Sequence, residues 1–84
     1  MKYPYPVVQV VWLDASTDIG WEDAGESNTE APEVMTVGFQ LHKDEKTIVV
    51  ASTSCKERMT NARITIPVGM VKSIKQLKRA GAER

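Results

Sequence analysis

MTVGFQLHKDEKTIVVAST, residues 35–53, decides the fold class. Met35, Val37, Phe39 and Leu41 alternate with Thr36, Gly38, Gln40 and His42, the period of two that sends successive side chains to opposite faces of a strand. Residues 34–42 are therefore expected to be extended. KDEK at 43–46 is short and charged, as a hairpin connection is, and the β-branched TIVVAST at 47–53 reads as the return strand. The unit is an antiparallel hairpin.

Outward from it, the same grammar recurs. VVQVVWL at 7–13 is apolar and β-branched, interrupted by Gln9 alone, which fits a strand covered on both faces, as in a barrel or at a subunit interface. Pro4 and Pro6 precede it, where no ladder donors are needed, and Asp14, Ala15 and Ser16 end it. ARITIP at 62–67 places Ile64 and Ile66 on one face and Arg63 and Thr65 on the other, and Pro67 stops it. SCKERMTN at 54–61 is the polar connection before it. After a single turn at 67–70, residues 71–78 fit two readings. Val71, Ile74 and Leu77 make a helical stripe, whereas a strand here would cover an edge that the hairpins otherwise leave open, and we favour the strand. RAGAER, 79–84, reads as a frayed tail.

Residues 15–33, ASTDIGWEDAGESNTEAPE, are different in kind: two Gly, one Pro, six acids, and only Ile19 and Trp21 as large apolar side chains. A loop of this length in so small a domain is usually functional or partly disordered. Trp21 is expected to pin the loop to the body, because a buried aromatic removes a large area from water; the alternative is an exposed aromatic that meets a ligand.

With 84 residues the chain is one domain, and it buries only roughly 60–65% of its unfolded surface, so it is marginal unless it packs well or oligomerises. No run of about 18 apolar residues is present to form a transmembrane helix. The opening MKYPYP reads against a signal peptide, and the lone Cys55 fits a reducing cytoplasm. The formal net charge of zero hides two opposed halves. Residues 1–42 hold one Lys against seven acids, a balance of −6, and residues 43–84 hold ten Lys and Arg against four acids, a balance of +6. Such polarity steers charged partners or brings copies of one chain together.

Catalytic chemistry finds little material. A Cys55 nucleophile needs a base, and His42 is the one histidine, at a strand end beside Lys43. One His and one Cys do not make a tetrahedral zinc site, the acidic loop lacks the alternating ligands of a calcium loop, and no phosphate-binding G-x-x-x-x-G-K occurs; no metal or cofactor is expected. Two binding surfaces remain. Asp18, Trp21, Glu22, Asp23 and Glu26 offer an acidic, aromatic surface for a basic partner. Ser54, Lys56, Arg58, Asn61 and Arg63 offer hydroxyl, amide and cationic groups of the kind that hold a phosphate or a nucleotide.

The order strand, long loop, hairpin, strand, proline turn, strand resembles an SH3-like or Sm-like five-stranded barrel, with ITIPVGMVKSIKQL in the place of its last two strands. VVWLDAS, then GW at 20–21, VGF at 37–39 and IPVGMVKSIKQL are similar to small uncharacterised proteins of tailed bacteriophages. Pro67 stands where RNA-binding Sm proteins carry Arg-Gly, so uridine recognition does not carry over. The resemblance implies a small all-β barrel in the cytoplasm of an infected bacterium and carries no agreed activity. The apolar run at 7–13 and the opposed charged halves point to a homo-oligomer, and the acidic loop to a non-enzymatic protein that binds and modulates a host protein. Alternatives are an oligomeric module that sequesters a nucleotide or short nucleic acid through residues 54–63, and a minor virion or assembly component.

Overall fold

The computed structural model describes residues 5–16, 20–26, 29–55 and 57–78. Five strands follow in order: β1 Val7–Leu13, β2 Glu33–Lys43, β3 Thr47–Ser54, β4 Thr60–Pro67 and β5 Val71–Leu77. Single 3₁₀ turns occupy Ala24–Glu26 and Val68–Met70. All neighbouring strands are antiparallel, and the sheet order is β4-β3-β2-β1-β5. The protein is thus all-β, and residues 71–77 are a strand rather than a helix. β4 starts two residues ahead of its expected beginning, at Thr60.

Chain connectivity forces the sheet to curl. In a flat sheet the two edges, β4 and β5, would lie about 19 Å apart, at ~4.8 Å per strand. Only Val68–Met70 link them, and a 3₁₀ turn advances just ~2 Å per residue. The backbone N–H of Val68 also donates to Lys46 O (2.8 Å), fastening this link to the β2–β3 turn. The edges therefore approach at this end, yet β4 and β5 do not pair and the sheet is not closed.

The bend is made within β2. Its residues 33–39 pair with β1, and residues 39–43 pair with β3, with a register irregularity between Gln40 and His42. At the changeover stands Gly38. A Cβ there would collide with the Ala51 carbonyl oxygen and lie 2.9 Å from Val50 Cγ1, so only glycine permits the approach of β3.

Curling brings two sets of side chains together over one core. Val8, Val10 and Trp12 of β1 meet Ile48 and Val50 of β3 and Ile66 of β4, with Val34, Ile64, Val71 and Ile74 packed around them. Trp12 is buried and satisfies its one donor: Nε1 gives a 3.0 Å hydrogen bond to Thr36 Oγ1 on the facing strand.

Within one chain β1 is covered on one face: Val8, Val10 and Trp12 are buried, while Val7, Gln9, Val11 and Leu13 are partly exposed on the outer side, so the both-face cover expected from a closed barrel is not present. The alternation in β2 holds, but its more apolar side points outward, leaving Met35 60% and Val37 50% exposed. The register explains the choice. Val8 faces Gly38 and Val10 faces Thr36, so the large side chains of β1 fill the space that the small residues of β2 leave.

Gly38→Ala is expected to destabilise the fold by ~3 kcal/mol, since the added methyl meets backbone rather than a movable side chain. Gly38→Val should prevent folding. Urea denaturation with an unchanged midpoint for Gly38→Ala would contradict the account.

Candidate functional site

The acidic loop leaves the sheet through a closed neck. Asp14 N–H donates to Pro32 O (2.9 Å), which continues the β1–β2 ladder one step past Leu13 and Glu33. Beyond it, Asp23 Oδ1 accepts the Gly25 N–H (2.8 Å) and sets the 3₁₀ turn Ala24–Glu26. Trp21 does not pin this loop to the body. Its relative exposure is 105%, and Glu22 and Asp23 beside it are exposed too. The expected anchor is overturned: the tryptophan buried in the core is Trp12 of β1, not Trp21. Asp18 lies outside the described residues, as does the side chain of Glu26.

The polar stretch 54–63 spans the β3–β4 turn and the start of β4. Cys55 N–H donates to Met59 O (2.9 Å) and Arg58 N–H donates to Cys55 O (3.1 Å), closing a tight turn with Arg58 at φ +72°. The structure commits several candidate ligand groups locally. Ser54 Oγ donates to Cys55 O at 3.4 Å, and Asn61 Oδ1 accepts the N–H of Ala62, which sits at φ +55°. The Arg58 guanidinium lies over the Tyr5 ring, 5.7 Å from its centroid, a cation–π contact. Arg63 is exposed on β4, opposite Ala51. Lys56 lies outside the described residues. Asn61 and Arg63 share a face with Thr53 and Ala51, whereas Ser54 belongs to the opposite parity, so these residues do not form one convergent set.

Sequence reasoning did not anticipate the pairing of Arg58 with Tyr5, which joins the N-terminal approach to β1 with the β3–β4 turn. The exposed Met59 (71%) next to Arg58 was likewise unmarked, having no periodic signal in a turn.

His42 near the end of β2 and Cys55 just past β3 are far apart. His42 pairs with Val49, and Cys55 lies six residues further on, about 20 Å along the strand at ~3.3 Å per residue. The histidine has another partner: Nε2 is 2.8 Å from Asp44 Oδ2. Asp44 also organises the β2–β3 turn, Oδ1 accepting the N–H of Lys46 (2.7 Å) and of Thr47 (2.8 Å). Among the described residues no group of three or more His, Cys, Asp or Glu is placed to hold a metal ion, and no helix is long and apolar enough to cross a membrane.

The His42 hydrogen bond, followed by the two backbone donors, lowers the Asp44 pKa from 3.8 to about 2. A depressed carboxylate pKa stabilises the folded form above the unfolded value, so the support Asp44 gives its turn is complete above pH 3.8 and is lost as pH falls through about 2. The amide shifts of Lys46 and Thr47 should titrate with a midpoint near that lower value. A midpoint at the ordinary 3.8 would remove the three-bond account of the turn.

Comparison with protein-family models, with curated proteins and with solved structures finds no match to this chain.

Proposed function

We propose that this chain is a non-enzymatic binding protein, a phage accessory factor that engages a basic surface of a host protein through the loop between β1 and β2. The observation that carries the reading is Trp21, fully exposed between Gly20 and the acids Glu22 and Asp23 on a loop whose neck is tied by the Asp14–Pro32 hydrogen bond. A tryptophan held in water is costly there unless something covers it. Burying its ~200 Å² against a partner returns about 5 kcal/mol gross at ~25 cal/mol per Å². Tryptophan is also among the residue types that dominate binding energy, and an acidic surround selects a cationic partner and speeds encounter. The separation of His42 from Cys55 speaks for binding rather than cysteine chemistry.

The strand order β4-β3-β2-β1-β5, with its three-residue link between the outer strands, supports an SH3-like barrel as the platform for the loop. The nucleotide-sequestering reading is weaker, since Ser54 and Asn61 bond to neighbouring backbone and Arg58 stacks on Tyr5.

Affinity capture from bacterial lysate, followed by titration of the recovered partner, tests this proposal. Trp21→Ala should weaken binding by at least ~30-fold, the loss of about 2 kcal/mol that marks a hot spot. Arg58→Ala should leave it unchanged, and binding should weaken with salt. Capture of the same partner by a chain lacking residues 16–32 would overturn the proposal.

A further inference from the structure

The outer face of the sheet carries a surface that the loop does not explain. Side chains of one parity line up across the strands in register. Leu77, Val7 and Phe39 form one row across β5, β1 and β2, which ends where Ala51 of β3 is buried. The next rows run Lys75–Gln9–Val37 and Ser73–Val11–Met35, and Leu13 and Glu33 end the series beside Lys72. Met35 and Val37 stand 60% and 50% exposed at the middle of this face, with Val7, Val11 and Leu13 half-exposed alongside. Apolar residues scattered singly on a surface need no explanation, but a contiguous patch rimmed by charges does.

We propose that this face, formed by β1, β2 and β5, seats a second copy of the chain, packed sheet to sheet about a two-fold axis that runs along β1. The charges and the amide of Gln9 select that occupant and that axis. Rotation about an axis along β1 lays β2 over β5 of the second copy and β1 over itself. Phe39 then faces Leu77, Val37 lies under the aliphatic stem of Lys75, and Met35 faces Ser73. Glu33 faces Lys72 of the second copy. In each chain these two already form a 2.8 Å ion pair with both side chains about half exposed, so the carboxylate keeps free lone pairs and the ammonium free donors. Gln9, the one polar residue within VVQVVWL, falls on the axis against its own copy, where an amide satisfies an amide. A two-fold axis across the strands does the reverse: it sets Glu33 over Phe39 and Lys72 over Leu77, burying charge on apolar side chains. The face is self-complementary in one orientation only.

An axis along β1 keeps β1 parallel to its own copy, and the twist of each sheet opens an angle only between the outer strands. Three strands of seven residues give a footprint of about 14 by 23 Å, smaller than the ~800 Å² per partner of a standard interface, which places the dimer in the weak, reversible class. It leaves the loop and Trp21 free, and it neither requires nor excludes the host-protein reading.

Sedimentation velocity on the full chain from about 1 to 300 μM measures it directly. The wild type should pass from monomer to dimer within this range. Val37→Glu, at a position already half in water, should raise the dissociation constant at least tenfold. Gln9→Glu, which conserves shape but sets two carboxylates against each other on the axis, should do the same, with circular dichroism showing both variants folded. Trp21→Ala should leave the dimer unchanged, so failure here is distinct from failure of the loop. A wild type that stays monomeric throughout would overturn the proposal and hand the face to a foreign partner. Association that survives Val37→Glu and Gln9→Glu would overturn it equally, since the copies would then meet elsewhere.

Discussion

The approach of the Ala51 carbonyl to Gly38 is the contact on which the architecture turns. β2 serves two neighbours, pairing with β1 through residues 33–39 and with β3 through residues 39–43, and the short β4–β5 link requires the sheet to curl between them. Removing the side chain at position 38 lets β3 come in over the bend. Once it does, Ile48 and Val50 reach Val8, Val10 and Trp12, and the outer strands come near enough for three residues to join them. A core of this size has little stability to spare. The bend is therefore less a local irregularity than the condition for having a core at all.

That core uses one face of β1 and leaves the other. In a larger protein a second layer would cover Val7, Val11 and Leu13, as it covers the strands of a sandwich. Among the described residues no such layer lies over them, and the outer sides of β1 and β2 together present apolar side chains to water. The two tryptophans divide accordingly: Trp12 is buried in the core, and Trp21 stands outside it among acids. Two surfaces of different chemistry result: an apolar face on the outside of the curled sheet, and an acidic loop with one aromatic.

The ends of the long hairpins are set by local polar chemistry rather than by packing. Asp44 closes the β2–β3 turn with backbone and His42 bonds, and the turn at 55–59 is closed by two backbone bonds with Arg58 laid on Tyr5. Polar residues read from the sequence as ligand groups are the ones a tight turn consumes first, because an Asn or Ser beside a bent backbone finds a partner within one residue. Asn61 and Ser54 both do so.

The strands and turns were legible in the linear order of residues. Alternation marked β2, β-branched runs marked β1 and β3, Pro67 closed β4, and the need to cover an edge identified β5 against a competing helical stripe. These are short-range properties, fixed by which side of a strand each residue takes and by which backbone angles it tolerates. Periodicity, however, divides a strand into two faces without saying which is buried. Met35, Val37 and Phe39 are the more apolar side of β2, yet Val34, Thr36 and Gly38 face the core, because the space opposite is already filled by Val8, Val10 and Trp12. The sequence by itself determined where the chain extends and turns; the tertiary structure decided what lies inside, because burial depends on the volume left by residues distant in the chain.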